Sequence, residues 1–323
     1  MTEIAKTEMA RKILLVTEKP FASSAVAGIE SALAGHELKR FEKYESREAL
    51  LEALRLEQPD AVIIRSDIAD VDFFNSAGAR LKIIVRAGAG VDNIDLEAAS
   101  KSGVVVMNTP GQNSNAVAEL AFGMMVSHAR NKFNGEGSGY ELRGKTLGLY
   151  GCGNVGRYMC KIAAGFGMKI IAFDPYVSEA AMKELGAEPT KEGLTELFAT
   201  SDFVSLHIPA TGDTKKSINK DLLQLLPKHG VLINTARSEV IHEEDLAQFL
   251  LTRPDCGYLA DVQMLVSNLE SVLGEERFEK QVFITPKKIG AQTVEANNNA
   301  GPAAAKQILD FFQTGDVRFQ VNK

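Results

Sequence analysis

Gly151-Cys152-Gly153-Asn154-Val155-Gly156 follows directly on the apolar run Thr146-Leu147-Gly148-Leu149-Tyr150 and opens a stretch of helical spacing near Val155. In such a strand–turn–helix the first glycine permits the tight turn, the second lets a pyrophosphate approach the backbone, and the third lets helix and strand pack closely. The helix start adds unpaired N–H groups and the positive end of the helix dipole, both aimed at phosphate. The next strand, Lys169 to Phe173, leads into Asp174, about 20 residues on, where a carboxylate accepts hydrogen bonds from an adenosine ribose. That carboxylate repels a 2′-phosphate, which favours NAD over NADP. A lone G-x-G-x-x-G is a weak signal; with strand, helix and acid in place it marks Gly151, Gly153, Asn154, Val155, Gly156 and Asp174 as cofactor-binding residues.

Outward from this turn the chain alternates strand and helix almost without interruption. Ile13 to Val16, Ala61 to Ile64, Leu81 to Val85 and Val104 to Val106 are short apolar runs of the kind a strand buried on both faces requires. A long helical segment, Ala116 to Arg130, and a glycine-rich connection, Asn134 to Gly139, separate them from a second series. That series restarts at Thr146 and continues through Phe203–Leu206, Val231–Asn234, Gly257–Asp261 and Val282–Thr285, before a final Ala-rich helix from about Val294 to Gln313. Two such series predict an α/β protein with two doubly wound parallel sheets, each covered on both faces.

The 323 residues suit two domains at roughly 100–200 residues each. Lys and Arg number 36 against 42 Asp and Glu, a net charge of −6, so the basic footprint of a nucleic-acid binder is missing. The three cysteines, Cys152, Cys160 and Cys256, form no C-x-x-C pair and fit a reducing compartment. Met1 to Arg11 has no apolar segment of a secretory signal, and no apolar run approaches the ~18 residues of a membrane helix. These features predict a soluble cytoplasmic protein without membrane or nucleic-acid partners. No His, Cys, Asp and Glu cluster has metal-ligand spacing, so no metal is expected.

A second cluster, Ile233-Asn234-Thr235-Ala236-Arg237-Ser238, ends another strand, and strand C-termini are where open α/β sheets bind ligands. A guanidinium there can bind a carboxylate in a bidentate fork and polarise an adjacent carbonyl. Arg65 and Ser66 likewise follow a strand, at a place suited to phosphate. The N–H groups of Gly88, Ala89 and Gly90 form a turn suited to a carboxylate.

Over nearly its whole length the chain resembles the D-isomer-specific 2-hydroxyacid dehydrogenases. The resemblance is carried by Arg86-Ala87-Gly88-Ala89-Gly90-Val91-Asp92-Asn93-Ile94-Asp95, Asn108 to Asn113, Gly144 to Gly148, Ser205-Leu206-His207-Ile208-Pro209, Asn234 to Arg237 and Thr285-Pro286, in that order. It implies a Rossmann NAD domain, residues 111–289, inserted into a flavodoxin-like substrate domain made of residues 1–110 and 290–323. The single helix left over after the second series agrees with that layout. The resemblance adds Ala89, His207, Ile208, Pro209, Thr235, Ala236, Asp261, Gly290 and Ala291 to the cofactor site, with Asp261 near the nicotinamide. It places Arg65, Ser66, Arg86, Gly88 and Asn113 at the substrate, and Arg237 as the catalytic cation. Within the family it runs furthest to members that oxidise 3-phosphoglycerate on the way to serine.

The catalytic pattern departs from the family. Most members use Arg, Glu and His, the His in Thr-Pro-His-x-Gly. Here that slot reads Thr285-Pro286-Lys287-Lys288-Ile289-Gly290, and the Glu slot, Val262 to Val266, holds no acid. Lys288, directly before Ile289-Gly290, is the candidate general base, as in a short subgroup of the family. A free lysine, with a pKa of about 10.4, is protonated at neutral pH. A neighbouring cation favours the neutral amine while a neighbouring carboxylate favours the ammonium. A glutamate that orients a histidine would hinder a lysine, so the two losses belong together. The alternatives are a glyoxylate or hydroxypyruvate reductase, which needs no phosphate site, and a non-catalytic NAD(H)-sensing protein. Ser238 stands where the family usually has Gly. The segment Asn131 to Arg143 is shorter than in most relatives, where it helps build the expected homodimer. With the chain ending at Lys323, no serine-sensing domain and no serine inhibition are expected.

Overall fold

The computed structural model describes residues 10–135, 137–261 and 269–322. The chain forms two compact units, Met1–Asn113 with Gln292–Lys323, and Ser114–Ala291.

The first unit holds a five-stranded parallel sheet of β1 (Lys12–Thr17), β2 (Glu37–Glu42), β3 (Ala61–Ile64), β4 (Ile83–Arg86) and β5 (Val105–Asn108), in the order β2-β1-β3-β4-β5. Alternation along β1 divides it between two cores. Ile13 and Leu15 join the helices Ser23–Ala32 and Val294–Thr314 on one face, and Leu14 and Val16 join Leu50, Leu54 and Phe73 on the other. Fully burying a Leu or Ile side chain is worth roughly 1.5–3 kcal/mol, which is why the apolar runs become strands covered on both faces. Helix Val294–Thr314 is capped by Thr293, whose hydroxyl accepts from Ala296 N–H at 3.1 Å. It packs close to Ser23–Ala32 because Gly301 and Gly28 carry no side chain: a Cβ on Gly301 would stand 2.8 Å from Ile29, and one on Gly28 2.6 Å from Pro302.

The second unit holds seven parallel strands, β6 (Thr146–Tyr150), β7 (Lys169–Phe173), β8 (Glu188–Pro189), β9 (Phe203–Leu206), β10 (Val231–Asn234), β11 (Gly257–Ala260) and β12 (Val282–Ile284), in the order β12-β11-β10-β9-β6-β7-β8. Register aligns their C-terminal ends. Tyr150 lies opposite Phe173 and Leu206, and Asn234 opposite Leu206 and Ala260. The residues that follow these strands therefore stand side by side along one edge.

Two strands were not legible as apolar runs. In β2, Glu-Leu-Lys-Arg-Phe-Glu, an edge position leaves half of the side chains exposed and none fully buried, and β8 is a two-residue edge pairing. The run read at Val104–Val106 is displaced to Val105–Asn108 by its pairing with β4. Among the described residues no helix is long and apolar enough to cross a membrane, and no group of three His, Cys, Asp or Glu side chains is placed to hold a metal ion.

Candidate active site

In the second sheet the strand order reverses between β6 and β9, the position at which open α/β sheets bind ligands. The glycine-rich turn stands there. Gly151 adopts φ +101°, and a Cβ on it would lie 2.8 Å from the carbonyl oxygen of His207 on the neighbouring strand end. A Cβ on Gly156, in the first turn of helix Asn154–Gly165, would run into the Gly151 carbonyl. Around Gly153, by contrast, no atom lies within 4 Å of where a Cβ would stand, so the backbone is open to a ligand. Asp174 ties the turn down: one carboxylate oxygen accepts from Cys152 N–H and the other from Tyr176 N–H, both at 2.8 Å. Cys152 and Cys160 are buried thiols in the core behind the turn. Ile208 is buried against Gly151, and Pro209 is exposed. The His207 ring bonds Ser205 Oγ at 2.9 Å, and burial pushes its pKa down to about 3, so it is neutral at physiological pH.

Gly156→Ala forces the turn to move, because its clash is with backbone. Overpacking of this kind costs roughly 1–3 kcal/mol. NADH affinity, read by fluorescence titration, is expected to fall about tenfold or more.

At the ends of β10 and β11 a second group assembles. Asn234, fully buried, closes the following turn with both ends of its amide: Oδ1 accepts from Ala236 N–H at 3.0 Å and Nδ2 donates to the Arg237 carbonyl at 2.9 Å. Ser238 begins a short 3-10 turn and its hydroxyl donates to Glu239 at 3.2 Å. Arg237 Nη1 and Lys288 Nζ both donate to the Ala236 carbonyl, at 3.0 and 3.3 Å. Lys288 is exposed; its position is fixed by this bond and by its loop. Lys287, also exposed, makes no hydrogen bond among the described residues. The Thr235 hydroxyl is buried with no partner among the described residues.

The loop is held by Asp261. Its carboxylate, 1% exposed, accepts from Ile289 N–H at 2.8 Å, Gly290 N–H at 2.7 Å and Thr285 Oγ1 at 2.8 Å. A Cβ on Gly290 would stand 2.7 Å from Asp261 Oδ2, so only glycine lets the loop come this close. Sequence reading assigned Asp261 to the nicotinamide; what its carboxylate holds in this structure is the loop that carries Lys288. Ala291 closes the unit. The acid-free stretch Val262–Val266 lies outside the described residues.

In the first sheet the order reverses between β1 and β3, and Arg65 stands at that point. Arg65 Nη1 donates to the carbonyls of Lys19 and Pro20, which follow β1, at 3.2 and 3.3 Å. Burial lowers the pKa of the guanidinium, with Asp67 opposing. Arg86, after β4, donates from Nε to the Arg65 carbonyl at 3.0 Å and lies across Gly88, where any Cβ would collide with its guanidinium. Asn108 Nδ2 fixes the adjoining turn through the Ala89 carbonyl at 2.6 Å. Asn93 clamps the carbonyls of Arg65 and Asp67 at 3.3 and 2.6 Å. Ser66 is exposed beside Arg65 and Asn113 ends the unit; neither bonds to these arginines among the described residues.

A family model described as "D-isomer specific 2-hydroxyacid dehydrogenase, NAD binding domain" matches residues 122–286. The chain belongs to this family. Its structure is similar to the NAD+-bound 3-phosphoglycerate dehydrogenase of Entamoeba histolytica, with 47% identity and a TM-score of 0.83 over 97% of this chain and 99% of that one. D-3-phosphoglycerate dehydrogenase of Synechocystis sp. is 37% identical over 277 residues, covering 81% of this chain and 49% of that protein. Hydroxypyruvate reductase of Thermotoga maritima is 37% identical over 262 residues, covering 77% and 84%. The chain spans about half the length of the curated D-3-phosphoglycerate dehydrogenases it matches first.

The geometry fits the family's cofactor. A turn open at Gly153, a carboxylate at Asp174 and the buried hydroxyl of Thr235, without a partner among the described residues, are groups that NAD would use. The sequence reading missed Asn234 in the second unit, and Asn93, Asn108 and Asn297 in the first, as residues that fix the local geometry. Asn234 acts on the turn that directly follows it, whereas Asn93, Asn108 and Asn297 act on backbone or on an arginine that the fold, not the local sequence, brings to them.

Proposed function

We propose that this chain is an NAD-dependent D-3-phosphoglycerate dehydrogenase that oxidises the C2 hydroxyl of 3-phosphoglycerate to 3-phosphohydroxypyruvate. Arg237 binds the carboxylate and the C2 oxygen, and Lys288 as the free amine takes the C2 hydroxyl proton. Arg65 and Arg86 take the phosphate. NAD, held by the turn 151–156, Asp174 and Thr235, supplies the hydride acceptor. The observation that carries this reading is the meeting of Arg237 Nη1 and Lys288 Nζ on the Ala236 carbonyl, which puts a carboxylate-binding fork and a titratable amine in one small volume.

Similarity to a hydroxypyruvate reductase over most of that protein's length supports a second reading, reduction of an unphosphorylated 2-oxo acid. Arg65→Ala separates the two. A hydrogen bond to a charged group is worth roughly 1.5–3 kcal/mol, so KM for 3-phosphoglycerate is expected to rise about tenfold or more. An unchanged KM, with hydroxypyruvate the better substrate of the reverse reaction, would select the reductase.

A further inference from the structure

Among the described residues the Arg65 guanidinium donates its hydrogen bonds to neutral acceptors. Besides the two carbonyls, its Nη2 donates to Oδ1 of Asn297 at 2.6 Å, and its guanidinium lies 5.0 Å over the Phe21 ring. Among the described residues no carboxylate pairs with it. Asp67, two residues on, is occupied elsewhere: its oxygens accept from Glu18 N–H at 2.8 Å, Tyr44 hydroxyl at 2.7 Å and the backbone N–H of Arg65 at 3.1 Å. Asn297 is itself fixed. It sits in the first turn of helix Val294–Thr314 and its Nδ2 donates to the Thr293 carbonyl at 2.9 Å, which turns Oδ1 towards the arginine. Half-buried cations are ordinarily paired. Here a cation is anchored from several sides with no carboxylate in direct contact among the described residues, Asp67 acting on it only from a distance, and its Nε–H and second Nη2 hydrogen make no bond there.

We propose that Asn297 is a specificity-determining positioning residue, holding Arg65 through an uncharged acceptor so that the guanidinium's charge is reserved for a phosphoryl group on the substrate. The inference rests on the reading of Arg65 as a phosphate ligand. It makes the identity of one amide, rather than the arginine alone, decide between phosphorylated and unphosphorylated 2-hydroxy acids. An aspartate at 297 is isosteric, keeps an acceptor for Nη2 and suits a helix N-terminus, while giving up the bond that Nδ2 makes to the Thr293 carbonyl. It would leave the arginine in place, neutralise it and repel a phosphate dianion.

The test measures kcat/KM for 3-phosphoglycerate relative to D-glycerate in the wild type, Asn297→Asp, Asn297→Ala and Arg65→Ala. Calorimetric binding of 3-phosphoglycerate without NAD and a thermal melt accompany each variant. Asn297→Asp is expected to lower the ratio about tenfold or more, through KM and binding of 3-phosphoglycerate rather than kcat. Asn297→Ala, which loosens the arginine but leaves its charge, should lower it less. If Asn297→Asp melts like the wild type and keeps the ratio within about twofold while Arg65→Ala lowers it, the role of Asn297 is overturned and the phosphate reading stands. If Arg65→Ala leaves the ratio unchanged, or the wild type does not prefer 3-phosphoglycerate, that reading fails and the inference with it. Should Asn297→Asp fold poorly, Asn297→Ala decides, and an unchanged ratio there overturns the proposal.

Discussion

Lys288→Ala is expected to lower turnover of 3-phosphoglycerate by about 10²- to 10⁴-fold, the range in which a general base contributes, with NADH affinity unchanged. The separation of effects follows from position. Lys288 bonds the Ala236 carbonyl beside Arg237, whereas the cofactor turn is shaped by Gly151, Gly156 and Asp174 on other strand ends. Lys287→Ala should be nearly silent, because that side chain makes no hydrogen bond among the described residues. The base must be the amine, and an ordinary lysine with a pKa of about 10.4 is an ammonium at pH 7, so kcat/KM should climb from pH 7 towards pH 10. His207 cannot mimic that limb: burial holds its pKa down at about 3, so it stays neutral across the whole range. A profile flat from pH 7 to 10, or a Lys288→Ala enzyme with wild-type turnover, would exclude the lysine mechanism.

Asp261→Asn carries the second large effect, on stability and activity together. Its carboxylate accepts three hydrogen bonds with both oxygens while 1% exposed. Replacing one oxygen by an NH2 sets a donor against the N–H of Gly290 or the donors of Ile289 and Thr285. Each stranded buried donor costs roughly 1–3 kcal/mol. For a unit of this size that corresponds to a melting temperature lower by about 2–12 °C. Because the loop from Thr285 to Gly290 is what Asp261 pins, Lys288 loses its register and turnover falls as well. Differential scanning calorimetry with steady-state assay of the same preparation checks both; a melt and a kcat like those of the wild type would contradict the role given to Asp261.

Much of this architecture is legible in the chain. Ile13–Val16, Ala61–Ile64, Thr146–Tyr150 and Val231–Asn234 become strands because only a sheet covered on both faces buries every residue of such runs. The glycine-rich turn is legible because its three glycines answer distinct steric demands. The edge strand β2 is not, since edge residues face water and carry no apolar signature. The same limit applies to the site. Arg65 and Asn297 are 232 residues apart, and Asp261 and Gly290 29 apart, and nothing in either local sequence announces its partner. Lys288 was legible from its slot, but its exposure was not, because that depends on how the loop is tied to Asp261.

The proposed oxidation of 3-phosphoglycerate is read out by NADH formation by the wild-type protein from NAD and 3-phosphoglycerate, with the oxo product trapped and identified. Sustained turnover in the usual enzymatic range, about 1 s⁻¹ or faster, rising with pH, is expected, with 3-phosphohydroxypyruvate as the trapped product. Tight NADH binding with no turnover of 3-phosphoglycerate or D-glycerate at any pH from 7 to 10 would contradict it and leave a protein that binds the dinucleotide without using it.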